Sequence, residues 1–326
     1  MNRTMLSLAL LAAILSCTWP GAGYAQIQRT WVASFGSDAN NCSRGQPCAT
    51  FTRAVSQTLA GGEVNCVDPG DFGEVSITQS MTIDCDNVRG SITSVGFTLA
   101  VSINAAASDV VVLRGLELKG VGGGFGGVQI LSAQEVHIEK CVISDQTAAG
   151  AGWGIYATPT SNIDIFVSDT LLTGSNGTGS GGGFIVVPRT SNGITKVVLN
   201  RVESRGNFFG IKADGTDERA SGGVINMTIR DSLSAGNGSN GIVGTSNATG
   251  PAIVMMIDRS ASSHNTAGYG VIADGPKTTI RLGSSSIAGN INGVGATNGG
   301  VLQSFKTNQI KGNSNDGTPL PAVGLD

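Results

Sequence analysis

Apolar residues recur along this chain in one short pattern: apolar, any, apolar, two turn residues, small or apolar, any, small or apolar. It is carried by Val111, Leu113, Leu116 and Leu118, by Val136, Ile138, Cys141 and Ile143, and by Ile165, Val167, Thr170 and Leu172. Val197, Leu199, Val202 and Ser204 repeat it, then Met227, Ile229, Ser232 and Ser234. Met255, Ile257, Ser260 and Ser262 follow, then Ile280, Leu282, Ser285 and Ile287, and a last unit is read on Gln303, Phe305, Asn308 and Ile310. From Leu113 to Phe305 the second anchors fall 23 to 32 residues apart, a spacing that marks stacked supersecondary units. Alternation within each unit predicts strands. Units that stack with the same face inward pair in parallel, and parallel pairing needs a return path of about a dozen residues or more.

The return path repeats as well: Trp153-Gly154-Ile155, Phe209-Gly210-Ile211, Asn240-Gly241-Ile242, Tyr269-Gly270-Val271 and Asn292-Gly293-Val294. Between the repeats stand Gly, Ser, Thr and Asn, poor helix formers, so the return is strand and turn. The expectation is an all-β, single-domain parallel solenoid of about ten coils around one narrow core. Leu113, Ile138, Val167, Leu199, Ile229, Ile257 and Leu282 should form one buried column. Val112, His137, Phe166, Val198, Thr228, Met256 and Arg281 then face outward, a rather apolar surface that predicts coverage or a partner. The same period of two puts Trp153, Phe209 and Tyr269 on the inward face beside Ile155, Ile211 and Val271, which predicts core packing rather than a sugar platform.

Ahead of the coils the chain reads Trp31-Val32-Ala33-Ser34, Gly36, Asp38, Asn40, then Pro47-Cys48-Ala49-Thr50-Phe51, Ala54, Gly61-Gly62-Glu63-Val64 and Gly70-Asp71-Phe72. Together with the repeat, these residues resemble the secreted right-handed parallel β-helix proteins of the pectate-lyase-like superfamily. The resemblance spans nearly the whole chain after its leader. It implies a right-handed β-helix with a short N-terminal cap, and activities that range over lyases, hydrolases, esterases, epimerases and adhesive surface proteins. In related enzymes the outer face of the first sheet lines the substrate groove. The pectinolytic motifs are missing, with no adjacent aspartate pair, no G-H-G and no R-I-K, so no catalytic residue is carried over.

Residues 1–25 read as a signal peptide, with Arg3, the apolar run from Met5 to Leu15, and Gly23-Tyr24-Ala25 before a cut that leaves Gln26 first. A rival reading takes Ile14-Leu15-Ser16-Cys17 as a lipoprotein site acylated at Cys17. Either way the protein is exported, to the periplasm, the cell surface or the medium. The apolar run is too short for an ordinary membrane span, and no later segment is apolar enough for one. Residues 26–62 form the cap, with a short helix starting at Thr50 or Thr52 and ending by Gly61-Gly62. The coils occupy residues 63–313, and 314–326 form a tail that either drapes over the last coil or leaves that end open to a partner. Cys42 and Cys48 flank a turn at Pro47 and predict a disulfide in an oxidising compartment. Cys66 and Cys85 lie in similar strands and are either a second disulfide or stacked thiols. Cys141 falls in the small-residue column and should be interior and inert.

Charged residues make up 13% of the chain and the net charge is -3. There is no basic stripe, which argues against nucleic acid. Asn207, Asn237, Asn265, Asn290 and Asn313 follow the last anchor of their units by three residues and predict an asparagine ladder at a bend. Arg201, Asp231 and Arg259 share one turn column, Asn200, Arg230 and Asp258 its neighbour, and their alternating signs predict ion pairs between coils. The longest loops are Gly174 to Gly183 and Asp214 to Gly223, both on central coils. Asp214, Asp217, Glu218 and Arg219 are the densest set of charged groups and the candidate substrate-binding residues. Carboxylates so close could hold Ca²⁺ or act as acid and base, or simply form a solvated loop. No other cofactor is suggested. His137 and His264 make no zinc motif, Gly122 to Gly127 matches G-x-G-x-x-G without a following helix, and G-x-S-x-G is absent.

These observations favour an exported β-helix that binds a polysaccharide or another cell-surface component, with no identifiable catalytic site. The alternatives are a polysaccharide lyase or glycoside hydrolase with an atypical site where Asp214 to Arg219 overhang the central coils, and a structural or adhesive surface protein. Self-association through the apolar outer sheet or the C-terminal end is a further expectation.

Overall fold

The computed structural model describes residues 27–177 and 179–324; the leader, the cut after Ala25 and Cys17 lie outside them. The chain winds as one parallel β-helix whose three sheets hold eleven, nine and ten strands. The first sheet runs from Ile27–Val32 to Val301–Ser304, the second from Val75–Ile77 to Asn292–Thr297, and the third from Gly70–Asp71 to Gln309–Ile310. Among the described residues the one helix is Phe51–Gln57. Thr50 caps it, its hydroxyl accepting from the Arg53 amide at 3.1 Å, and Phe51 packs edge-on against Phe72 inside the cap.

The anchor column forms as the alternation predicts. Leu113, Ile138, Val167, Leu199, Ile229, Ile257 and Leu282 are successive register partners, and all are buried. The last unit departs from the pattern. Leu282 pairs with Ser304 and Ile280 with Leu302, so Leu302 and Ser304 take the inward places assigned to Gln303 and Phe305. Phe305 is half-buried and lies on the outside near Gly283. Three residues instead of two then lead to Asn308, with Lys306 in the left-handed region at φ 64°. A slip of one residue reverses the two faces of a strand, and the extra turn residue restores the register at Ile310.

Both corner devices foreseen from sequence are present. Lys140, Asp169, Arg201, Asp231 and Arg259 stack at the turn after the first sheet, all with φ between 44° and 53°. Their signs alternate, and Arg201 meets Asp169 at 2.6 Å and Arg259 meets Asp231 at 2.8 Å. At the next corner each asparagine accepts the amide of the one before it, from Asn207 to Asn313, at 3.0–3.1 Å. The ladder is tied inward: Asn207, Asn237 and Asn265 donate to Ser204, Ser234 and Ser262, whose hydroxyls donate to Gly210, Gly241 and Gly270 carbonyls. Asp316 accepts from Asn313 and closes it.

The tail drapes over the last coil. Asn315 bridges Asn292 in the second sheet, Ala322 bridges Ser304 in the first, and Leu320 is buried against the core end. Both disulfides are formed, Cys42–Cys48 with Cα atoms 4.7 Å apart and Cys66–Cys85 with 5.0 Å. Such bonds persist in oxidising compartments. Cys141 is free and buried, and burial pushes its thiol up to about 12, which leaves it protonated and unreactive.

Candidate functional site

The outer face of the second sheet is where aromatic rings and charged groups meet. Its outward column runs Gln129, Tyr156, Ile185, Lys212, Val243, Ile272 and Gly295. Trp153, Phe209 and Tyr269 open their strands three residues before Tyr156, Lys212 and Ile272. They do not enter the core as the period of two predicts. Trp153 stacks on Tyr156, with centroids 6.5 Å apart and planes at 15°. Phe209 carries the Lys212 ammonium 4.9 Å from its ring centre, and the Tyr269 ring lies over Gly295. The cause is position: the first residue of each strand sits on the corner, and a large ring there has more room outside than in a core filled by Ile155, Phe184 and Ile211. Ile185, Val243 and Ile272 are buried although they point away from the core.

Large and small residues alternate in the corner column: Leu99, Gly126, Trp153, Gly182, Phe209, Asn240, Tyr269, Asn292. Gly182 lets Trp153 and Phe209 close over it until their planes lie 3° apart with centroids at 6.2 Å; a Cβ there would run into the Trp153 ring and the Phe209 backbone. Phe208 meets Phe209 edge-on, and Phe125 meets Tyr156 likewise. Trp153 is only 8% exposed and serves as floor. The half-buried rings of Phe125, Tyr156, Phe208 and Phe209 carry the accessible surface.

The loop bearing the candidate charges folds onto this face. Asp214 is the penultimate residue of the strand Phe209–Gly215, where its carboxylate meets Lys212 at 2.8 Å and accepts from Thr216. Asp217 accepts from Arg219 at 2.5 and 2.8 Å and from Arg189 at 3.4 Å. Arg189 in turn donates to the Tyr156 hydroxyl at 3.0 Å and lies over the Tyr156 ring. Hydrogen bonding from Arg219, against the opposing effect of burial, holds the Asp217 carboxyl down to about 2. Asp214, Asp217 and Arg219 are thus brought to the aromatic face, and Glu218 is exposed and unpaired among the described residues. No group of three or more His, Cys, Asp or Glu side chains among the described residues is gathered as an ion site would require. Arg189, Tyr156, Phe125 and Phe208 were not singled out from sequence. Tyr156 had a signal, being the outward residue of the repeated strand motif; Arg189 lies outside every repeat and had none.

Elsewhere the surface is less provided. The outward column of the first sheet is as read from sequence, with His137 stacked on Phe166 at 4.9 Å. Its residues are half-buried except for the exposed Thr228, and the nearby carboxylates Glu135 and Asp164 are taken by His137 and Lys196. Among the described residues no helix is long and apolar enough to cross a membrane.

No protein-family model matches the chain, and no curated protein matches it. Solved structures do. A GH136 lacto-N-biosidase from Eubacterium ramulus aligns over 92% of this chain and 67% of its own, at 12% identity and a TM-score of 0.47. A pectate lyase aligns over 90% and 80%, at 12% identity and a TM-score of 0.43. A rhamnogalacturonan lyase aligns over 85% and 75%, at 13% identity and a TM-score of 0.41. Likeness at this level is a likeness of winding, and the residues of the candidate site stand on their own geometry.

Proposed function

We propose that this is an exported protein that binds a polysaccharide, or a saccharide-bearing surface component, on the outer face of its second sheet. One observation carries the reading: the loop from Asp214 to Arg219 folds back so that two ion-paired groups border half-buried rings, Lys212 with Asp214 at Phe209 and Arg189 with Asp217 at Tyr156. Sugars offer apolar C–H faces and a rim of hydroxyls. Flat rings suit the first, and fixed donors and acceptors suit the second. The disulfides and the N-terminal leader pattern support export.

Binding is favoured over turnover by the state of the two carboxylates that border the rings. A general acid must carry a proton near neutral pH, and a base needs affinity for one. Asp217, held at about 2, has neither, and Asp214 is committed to Lys212. Affinity electrophoresis through a panel of acidic and neutral polysaccharides tests the reading. At least one polymer should retard the protein and release no products. Tyr156→Ala, which gives up the ring contacts with Trp153 and Phe125 and lowers the thermal midpoint, should remove the retardation while the protein is still folded at the assay temperature. Free migration through every gel would sink it, and release of oligosaccharides would replace it with the lyase or hydrolase alternative.

A further inference from the structure

We infer that the glycan taken at this face is uncharged. The inference rests on the binding reading above and narrows its ligand. Three cations, Arg189, Lys212 and Arg219, stand around the rings with three carboxylates, Asp214, Asp217 and Glu218. Each cation is already engaged. Arg219 places both Nε and Nη2 on Asp217, Arg189 divides its guanidinium between Asp217 and the Tyr156 hydroxyl, and Lys212 holds Asp214. The charge left over is the exposed carboxylate of Glu218. A uronate approaching these rings therefore meets compensated cations and one free anion, on a chain whose net charge is -3.

A carboxylate here could reach only spare protons of guanidinium groups whose charge Asp217 already neutralises, and a full ion pair would require Arg189 or Arg219 to release Asp217, whose side chain is only 12% exposed. Stranding one member of a partly buried pair costs more than an exchanged contact returns. Hydroxyls require no exchange. A sugar hydroxyl donates to a carboxylate oxygen and accepts from a spare guanidinium or ammonium proton, with each ion pair intact. Ring stacking has no charge requirement. The face thus fits a neutral polymer and lacks the surplus positive charge that a polyuronate selects.

The experiment compares wild type and Asp217→Asn in affinity gels of neutral polysaccharides and of a polyuronate, each at low and high salt. Wild type should be retarded by a neutral polymer, to nearly the same degree at both salts, and pass freely through the polyuronate. Asp217→Asn frees two guanidinium groups and should gain about tenfold in polyuronate affinity, the scale of one charge-assisted contact, with the gain lost at high salt. Salt-sensitive wild-type binding confined to the polyuronate would overturn the inference and leave the binding reading standing. An Asp217→Asn protein that gains nothing would also overturn it, since the ion pairs would not then be what excludes acidic polymers. No wild-type retardation by any polymer would remove the binding reading and the inference together.

Discussion

Asp217 shows how one side chain can be both structural and decisive for chemistry. Its carboxyl lies at about 2, below an ordinary value of 3.8, because Arg219 and Arg189 bond to the ionised form. Folding therefore weakens its hold on a proton. The resulting stabilisation is present above pH 3.8 and is lost as pH falls through about 2. We expect Arg219→Ala to move the Asp217 midpoint up toward the ordinary range, read from its side-chain carbonyl signal during an NMR titration; an unmoved midpoint would show that Arg219 is not the cause. Residues whose partner sits at a fixed offset were legible in the sequence. The asparagine ladder and the alternating charges follow from column positions one coil apart. The Arg189–Asp217 contact was not, because Arg189 lies in an irregular connection and no period points from it to its partner.

At the scale of the element, the strand that opens with an aromatic residue, glycine and Ile or Val is the informative unit. Its glycine is required by packing at Gly210, where a Cβ would run into the Ser234 hydroxyl and the Gly241 carbonyl. The serine and the asparagine ladder above it leave no room to retreat. Gly210→Ala should cost about 1–3 kcal/mol, the usual range for overpacking a filled interior, measured by urea unfolding; Gly236→Ala is a poor control because its φ is positive, whereas Gly45, with open space around it, should be nearly silent. Period-two reasoning located these strands and their buried faces. It misplaced Trp153, Phe209 and Tyr269 because the rule holds within a strand and weakens at its first residue, where the chain is still turning. It also placed Phe305 inside by favouring the larger apolar residue, whereas Ser304 takes that place, bonding Lys306 and Asn308 at the turn, and Leu302 takes the one assigned to Gln303.

Across the whole molecule, the winding was legible because it is periodic, and the course of the tail was not because it is paired through backbone bridges at Asn315 and Ala322 rather than through a side-chain pattern. One periodic feature goes further than the coil. The turn column reads positive, negative, positive, negative, positive from Lys140 to Arg259, and the corner column alternates large with small from Leu99 to Asn292. Two unrelated columns share a period of two coils, so the molecule has parity. Coils can be gained or lost in pairs with like facing unlike throughout. An odd change sets two cations side by side: excising 202–231 would place Arg259 next to Arg201. In that shortened chain Arg259→Asp should raise stability by about 0.5–1 kcal/mol, the scale of an exposed pair. In the full chain the same substitution should lower it, because Asp231 is then the neighbour. Thermal midpoints moving in the same direction in both backgrounds would show that parity has no energetic weight. Opposite directions would mean that this solenoid is counted in twos.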